Sequence, residues 1–501
     1  MEEYVQQAWD FAKQVMWELG VQEVYMLLNV ICLMMFVYHL IRFAMGHPLP
    51  EPKKPDPTLI PSYWFSHWWI NILLAYAWIA RRFFCTTIFP LPKEKLLDLL
   101  KDTPKEAEAF FGDQAATVAV YETVITDLEK SPLLSNFGRF TAQRQLMEAL
   151  RARQAFMKYF VAHPEIADVS LPSPIVITGL PRTGSTLLHN LLACDPSARA
   201  AFNYEVDAGG YAAVAPPTKA MDTEHTWFQR GVHAWDARYR LTPEIFADIA
   251  ACHFSTPETI ADDAVLIEHA LPPLKYIAVL SNKARRMLLT ATNKRNVYTY
   301  LYRYYQLLQS GQPDGPTHWV LKSPFHASHL PLLRATFPGA RIVMLHREMK
   351  QVVASSATKL LREMHPSLKG KGLDKKLIGR LATELCTETT NALLARKAVD
   401  VTNLQYDEWI ADPIGTVKAL YDQWGMEVSD DFENKMREYL EKNPKGKYGE
   451  VKYTVEEYGL SGAVLDCTFG KYAAMQAAQS RDGPEITSPR HSDKVHVPST
   501  A

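Results

Sequence analysis

Paired cysteines, glycosylation signals and an excess of charge are all missing from this sequence of 501 residues. Its six cysteines lie far apart, with no CxxC pair and no Cys/His cluster at metal-ligand spacing, so we expect ordinary buried or free thiols. The absence of any Asn-x-Ser/Thr sequon disfavours long residence in a glycosylating lumen. A formal net charge of -1 disfavours a nucleic-acid partner, because binding a phosphate backbone needs a concentrated basic excess. Any recognition of phosphate must therefore be local.

Length and composition predict one large domain with smaller appendages. A chain with 47% hydrophobic and 22% charged residues can bury a full globular core and still carry an extra segment. We expect a membrane anchor at residues 1–92, the main domain at 93–476 and a disordered tail at 477–501. The tail is assigned as disordered because it has little apolar surface to bury.

An uncharged run covers residues 24–41, which is close to the roughly 20 residues that cross a bilayer as a helix. Acidic residues dominate the segment before it, whereas the leader of a signal peptide is basic. We therefore predict a transmembrane helix. A buried core helix is the alternative, since the run includes Asn29 and His39.

A second uncharged run at residues 57–80 is rich in tryptophan, which favours the headgroup boundary. Basic residues flank it on both sides: Arg42, Lys53, Lys54, Arg81 and Arg82. An interfacial or re-entrant segment keeps all these charges on the cytoplasmic face, so we favour it over a second span, which stays the alternative. The same rule predicts a single-pass membrane protein with its main domain in the cytoplasm.

The main domain has the pattern of an α/β fold. Helical periodicity runs through residues 93–165. Short apolar strands alternating with helices follow, at 175–178, 319–322 and 341–345, and a fourth strand is predicted at 399–405. Such alternation predicts a parallel sheet covered by helices on both faces.

A phosphate-binding loop follows the first predicted strand. Residues 179–186 have the sequence GLPRTGST and precede an apolar helix, which is the usual context of such a loop. Gly179 and Gly184 permit backbone angles that turn amide hydrogens inward, and the helix start adds its positive dipole end. Arg182 can supply a cation. A Gly/Pro turn without a ligand is the alternative.

One position of the loop departs from the nucleotide-triphosphatase pattern. Ser185 stands where those proteins place a lysine, and no acidic residue closes the next strand to hold magnesium. Hydrolysis of ATP or GTP therefore lacks two of its usual parts. A P-loop kinase using ATP is kept only as an alternative.

The motifs resemble those of the PAPS-dependent sulfotransferase superfamily, especially its lipid- and small-molecule-modifying branch; PAPS is 3′-phosphoadenosine 5′-phosphosulfate. The loop is similar to the family's 5′-phosphosulfate loop. Residues 318–326 (HWVLKSPFH) and 337–347 match its W-v-L-K-[ST]-P-x-H and F-P-x-A-r-x-v-x-x-x-R blocks in order. An acidic block that includes Asp262 and Asp263 is a weaker match. The resemblance covers roughly residues 95–475 and implies a P-loop-type sheet with PAPS as co-substrate and no metal.

The resemblance implies two anion sites for PAPS. Arg347 and Ser355, at the family's spacing of eight residues, are predicted to hold the 3′-phosphate, which ATP lacks. A surface cation capping a strand is the alternative for Arg347. The residues predicted to bind the 5′-phosphosulfate are Arg182, Thr183, Gly184, Ser185 and Thr186.

In-line sulfuryl transfer needs a cation for the departing phosphate and a base for the acceptor hydroxyl. Lys322 is the predicted cation, together with the loop. Glu205 and His326 are the candidates for the base, and Glu205 ranks first because lipid- and protein-modifying branches carry a glutamate there. In the soluble aryl and steroid branch the histidine lies two residues after the lysine, where this sequence has Pro324. The alternative for Glu205 is a capping or solvated carboxylate, and the alternative for His326 is a hydrogen-bonded residue at a helix start.

The predicted acceptor is a hydrophobic small molecule that bears a hydroxyl, such as a sterol, a terpenoid or a lipid alcohol. Aromatic residues are abundant between the two nucleotide-binding blocks, and the amino terminus is predicted to adjoin a membrane. The rival of a different class is a non-catalytic membrane scaffold that binds nucleotide. The sequence leaves a homo-oligomer open.

Overall fold

The fold is known for most of the main domain from a computed structural model. It describes residues 91–206, 215–250, 254–290, 293–312, 315–368, 374–395, 399–444, 447 and 453–482. The predicted membrane span at 24–41 and the aromatic segment at 57–80 lie outside these residues. Among the helices described, none combines the length and the apolar character needed to cross a bilayer.

A parallel sheet of five strands, in the order β2-β3-β1-β4-β5, forms the centre of the described domain. The strands are β1 (Ile175–Gly179), β2 (Ala198–Arg199), β3 (His318–Lys322), β4 (Arg341–His346) and β5 (Thr402–Gln405). The prediction of an α/β fold with a parallel sheet flanked by helices is confirmed. β2 was not predicted, because two residues are too short to show a periodic pattern.

Helices cover both faces of the sheet. Alternate residues of β1 belong to different cores, with Val176 in one and Ile175 and Ile177 in the other. Both cores are apolar, which explains why the central strands are continuous hydrophobic runs. The helices are α1 (Lys93–Lys101), α2 (Ala107–Phe111), α3 (Ala115–Lys130), α4 (Asn136–Ala162), α5 (Ser185–Leu192), α6 (Asn203–Val206), α7 (Thr226–Leu241), α8 (Pro243–Ala250), α9 (Ala264–Ala270), α10 (Asn282–Thr290), α11 (Lys294–Ser310), α12 (Leu330–Thr336), α13 (Met349–Met364), α14 (Lys375–Ala395), α15 (Tyr406–Trp409), α16 (Pro413–Gln423), α17 (Asp430–Lys442) and α18 (Gly462–Asp482).

The helical region predicted before the first strand consists of α1 to α4. Its longest member, α4, begins after Ser135, whose hydroxyl accepts a hydrogen bond from the backbone N–H of Gly138. Farther along, Phe156 and Phe160 meet Phe111 of α2 edge to face. Short 3₁₀ helices connect several elements: Pro164–Asp168, Leu274–Val279, Pro324–His329, His365–Ser367 and Glu456–Tyr458.

The carboxyl-terminal helix extends beyond the predicted end of the domain. α18 continues to Asp482, whereas the disordered tail was predicted to begin at residue 477. Alanine-rich sequence has high helix propensity, which favours the continuation of this helix. The residues after 482 lie outside the described part of the chain.

Candidate active site

Three sequence motifs meet at the carboxyl edge of the sheet. β1 pairs with β3 so that Ile177 lies opposite Lys322, and with β4 so that Gly179 lies opposite Leu345. All three strands run parallel, so the loop after β1, the end of β3 and Arg347 after β4 emerge side by side. This edge is where open α/β sheets bind their ligands.

The phosphate loop uses three residues with positive φ. These are Gly179 at 140°, Arg182 at 68° and Gly184 at 82°. A side chain at Gly179 would place its Cβ 2.3 Å from the carbonyl oxygen of Leu345, so only glycine fits beside β4. Arg182 adopts the left-handed conformation without being glycine, which costs on the order of 1–3 kcal/mol and is typical of functional loops.

The remaining loop residues differ in what they offer a ligand. The buried hydroxyl of Thr183 donates to the carbonyl of Leu180 at 2.8 Å and so closes the loop internally. Ser185 is partly exposed and Thr186 is exposed, at the amino-terminal start of α5. The free backbone amides of that helix start, with its positive dipole end, suit an anionic group.

The two predicted anion sites are joined through Arg182. Its Nε donates to the Oγ of Ser355 at 3.0 Å. Arg347 Nη1 donates to the carbonyl oxygen of Arg182 at 2.9 Å, and Nη2 donates to Gln351 Oε1 at 2.6 Å. The guanidinium of Arg347 also lies 4.2 Å from the ring centroid of Tyr406. Arg347 therefore faces the loop.

One hydrogen-bond donor of Arg347, its Nε, is available to an anionic ligand. Its buried Nε makes no hydrogen bond to the residues that the structure describes. A buried donor without an acceptor is unfavourable, and a phosphate oxygen would satisfy it with a charge-assisted bond.

Lys322 lies at the end of β3 and contacts a carboxylate. Its Nζ is 2.6 Å from Asp262 Oδ2, and its carbonyl oxygen accepts the backbone N–H of Asp263 at 2.9 Å. The Nε2 of His189, on α5, lies 3.1 Å from the carbonyl oxygen of Val320 on the same strand. Burial lowers the pKa of His189 to about 3, and the charge of Lys322 adds to this effect. His189 is therefore neutral at physiological pH.

A fourth cation, Lys359 on α13, belongs to the same region. Its Nζ is 2.8 Å from Glu363. The pKa of Lys359 is raised, chiefly by Glu363 and to a smaller extent by Asp262, while Arg182 lowers it. Lys359 is thus within electrostatic range of both the loop and the Lys322 ion pair. In the described part of the chain, no three His, Cys, Asp or Glu side chains are grouped as a metal site would require.

Glu205, the first candidate for the base, is fully buried in an ion pair with Arg199. Its second oxygen accepts the backbone N–H of Phe202 at 2.9 Å. Burial raises the pKa of Glu205, and Arg199 opposes that rise. The Arg199 guanidinium in turn lies 4.5 Å from the ring centroid of Trp319. The carboxylate is therefore engaged inside the protein, and these contacts do not include Lys322.

His326, the second candidate, is buried in a chain of polar groups. Its Nε2 is 3.0 Å from Asp263 Oδ2, and its Nδ1 is 2.9 Å from the hydroxyl of Tyr298. The hydroxyl of Tyr305 donates to Asp263 Oδ1 at 2.6 Å. Both ring nitrogens of His326 are thus bonded within the core.

The sequence motifs assign no role to Asp262 and Asp263, whose block is only a weak match to the family pattern. The sequence feature that could have identified them is the pair of adjacent acidic residues, which has apolar residues immediately before and after it. Their contacts with Lys322 and His326 span about sixty residues of sequence, which a local pattern does not reveal.

Comparison with known proteins identifies the family. A sequence model described as the sulfotransferase family matches residues 174–430, which include both anion motifs. Omega-hydroxy-beta-dihydromenaquinone-9 sulfotransferase Stf3 of Mycobacterium bovis is 26% identical over 313 residues, which cover 60% of this chain and 74% of that protein. The Mycobacterium tuberculosis protein of the same name has the same identity and the same coverage.

Solved structures show the same fold. The crystal structure of sulfotransferase STF9 from Mycobacterium avium superimposes with a TM-score of 0.64 at 24% identity, covering 77% of this chain and 97% of that one. Sulfotransferase STF1 from Mycobacterium tuberculosis gives a TM-score of 0.59 at 22% identity, covering 76% and 97%. With the family model matching more than half of its length, the chain belongs to the sulfotransferase family.

Proposed function

We propose that this protein transfers the sulfuryl group of PAPS to a hydroxyl of a hydrophobic small molecule by in-line displacement. The observation that carries the proposal is the chain of contacts from Arg347 through Arg182 to Ser355. These contacts support a single continuous site formed by the two anion motifs. A nucleotide with phosphate groups at both ribose positions has the charge distribution that such a site selects.

In this proposal the loop and the start of α5 bind the 5′-phosphosulfate. The backbone amides of residues 183–186, the hydroxyls of Ser185 and Thr186 and the guanidinium of Arg182 supply donors. Arg347 and Ser355 bind the 3′-phosphate, and the unused Nε of Arg347 supports that role. ATP lacks this phosphate, so the second site distinguishes the two nucleotides.

The transfer step depends on stabilising the charge of the leaving phosphate and on positioning the acceptor hydroxyl. Lys322 is proposed to stabilise the negative charge that develops on the leaving phosphate, because it ends the strand that pairs with β1, and β1 leads into the loop. The acceptor hydroxyl needs a base. Glu205 and His326 stay predictions for that role, and both side chains are fully buried.

The proposed acceptor is a lipid-like molecule bearing a hydroxyl. Two relatives carry names that specify a hydroxylated menaquinone as their substrate. In this sequence the apolar run at 24–41 and the tryptophan-rich run at 57–80 are consistent with an enzyme that meets its acceptor at a membrane. We propose accordingly a single-pass protein whose catalytic domain faces the cytoplasm.

Calorimetric titration with adenosine 3′,5′-bisphosphate and with ATP tests the donor site. We expect the bisphosphate to bind more tightly. In Arg347→Met, loss of charge-assisted hydrogen bonds worth about 1.5–3 kcal/mol should weaken bisphosphate binding roughly 10- to 150-fold. Binding of adenosine 5′-phosphate, which lacks the 3′-phosphate, should change little. Arg437→Met on α17 is the matched control, since Arg437 is exposed and paired with Glu433.

The titration also separates the rival functions. Preference for ATP would favour a kinase, and binding of neither nucleotide would favour a scaffold. Transfer of labelled sulfate from PAPS to a panel of lipid and water-soluble hydroxyls, in detergent, then tests the acceptor class. Reaction with only the water-soluble compounds would contradict the lipid proposal.

A further inference from the structure

The carboxylate that contacts Lys322 belongs to Asp262, a residue to which neither the motifs nor the relatives assign a role. Asp262 Oδ2 lies 2.6 Å from Lys322 Nζ. The Asp262 side chain is 17% exposed, whereas those of Glu205 and His326 are 0% exposed. Of these three groups, only Asp262 combines contact with Lys322 and access to solvent.

Asp262 is held in a defined orientation. Its other oxygen, Oδ1, accepts the backbone N–H of Ala264 at 2.9 Å, at the start of α9. The neighbouring Asp263 is fixed at β3 by its N–H bond to the carbonyl of Lys322 and by its contact with His326. These bonds anchor the segment and direct Oδ2 toward the Lys322 ammonium.

The position of Asp262 also relates it to the donor site. Asp262 and Arg182 both act on the titration of Lys359, and Asp262 and Lys322 both act on that of His189. Asp262 contacts Lys322 at the end of β3, and β3 pairs directly with β1, which leads into the loop, so Asp262 lies at the same edge of the sheet as the loop.

We propose that Asp262 is the general base for the acceptor hydroxyl, an inference that depends on the proposed sulfotransferase function. The acceptor oxygen forms a new bond to sulfur as the bond between sulfur and the bridging phosphate oxygen breaks. The hydroxyl proton moves to Asp262 Oδ2 and is later released to water. The electron pair of the broken bond leaves on the 5′-phosphate of adenosine 3′,5′-bisphosphate, beside Lys322.

The first test compares Asp262→Asn with the parent enzyme. The amide keeps the shape of the side chain but cannot take the proton. We expect kcat to fall at least about 100-fold, as is usual for loss of general-base catalysis, and the acidic limb of the pH–kcat profile to disappear. Calorimetric affinity for adenosine 3′,5′-bisphosphate should stay within about threefold, which also shows that the variant is folded. Asp262→Glu should retain measurable activity and the acidic limb.

Glu258→Gln is the matched control, because Glu258 is an exposed carboxylate in the same segment. It should leave kcat and the pH profile unchanged. An Asp262→Asn enzyme with kcat within threefold of the parent would overturn the proposal. Loss of the acidic limb in Glu205→Gln or His326→Gln, with its retention in Asp262→Asn, would do the same.

A second measurement separates a base from a residue that only positions Lys322. Rates are compared for 1-decanol and 2,2-difluoro-1-decanol, whose hydroxyl is more acidic. A base becomes less necessary as the acceptor becomes more acidic, so the Asp262→Asn defect should be smaller for the fluorinated alcohol. An equal defect with both alcohols would assign Asp262 to positioning. A parent enzyme that neither binds the bisphosphate nor transfers sulfate would instead overturn the proposed function.

Discussion

Gly184 shows how the conformation of one residue determines the shape of the phosphate loop. It ends the loop at a φ of 82°, and a Cβ there would lie 2.4 Å from Cζ2 of Trp409. Trp409 and Tyr406 pack directly on the loop, and Tyr406 also contacts Arg347. Glycine is thus required both for backbone angle and for space.

Replacing Gly184 with alanine should therefore lower both stability and nucleotide affinity. The left-handed backbone costs about 1–2 kcal/mol for an L-residue, and the contact with Trp409 should add about 1–3 kcal/mol. Urea unfolding measures the first effect, and titration with adenosine 3′,5′-bisphosphate measures the second.

Gly425→Ala is the matched control. Gly425 has a similar φ of 66°, but no atom of the described residues lies within 4 Å of the position that a Cβ would occupy there, so only the backbone cost applies. We expect a loss of about 1–2 kcal/mol and unchanged nucleotide binding. Equal losses of stability in Gly184→Ala and Gly425→Ala would show that Trp409 does not constrain the loop.

Among the elements, α18 connects the end of the described domain to the strands beside the site. Leu465, Phe469 and Tyr472 recur at intervals of three or four residues and are buried along one face. The hydroxyl of Tyr472 is 2.7 Å from His346 Nδ1, and His346 Nε2 is 2.8 Å from Asn403 Oδ1. The helix is therefore linked to β4 and β5 through these side chains.

Truncation of the buried face of α18 should destabilise the domain. Phe469→Ala removes a side chain that is 2% exposed, and we expect a loss of about 3–5 kcal/mol in the free energy of unfolding. Val464→Ala is the control on the same helix, because Val464 is 61% exposed and should change stability by less than about 0.5 kcal/mol. Chemical denaturation measures the free energy of unfolding of both variants. If Phe469→Ala and Val464→Ala lowered it equally, α18 would not pack as described.

For the whole molecule, buried histidines predict sensitivity to acid. Burial lowers the pKa of His189 and His269 to about 3 and that of His329 to about 4. In the unfolded chain the imidazole titrates near pH 6.5, as in model peptides. From about pH 6.5 to about pH 4, the unfolded state therefore binds protons that the folded state does not.

Stability should consequently fall as the pH decreases through this window, by up to about 1.4 kcal/mol per pH unit for each histidine. Urea unfolding at several pH values measures the slope. His269→Gln should reduce the slope of the free energy of unfolding against pH by the equivalent of about one proton. His233→Gln, at an exposed position, should leave that slope unchanged. An unaltered slope in His269→Gln would indicate that this imidazole is charged in the folded protein.

The sequence by itself determined the central strands and the loop, because each depends on a local pattern. A continuous apolar run predicts a strand buried on both faces, and glycines between a strand and a helix predict a phosphate loop. The resemblance of these motifs to a known family also predicted two anion sites, with Arg182 in the first and Arg347 and Ser355 in the second. Local composition also predicted the domain boundaries at residues 92 and 476 and the membrane segments.

Only the tertiary structure decided which polar groups meet. Parallel pairing of β1 with β3 and β4 brings the loop, Lys322 and Arg347 to one edge. The crossing of the acidic segment over the end of β3 places Asp262 at Lys322. The same packing seals Glu205 against Arg199, because the partners of a buried charge are set by the folded neighbourhood and not by spacing along the chain.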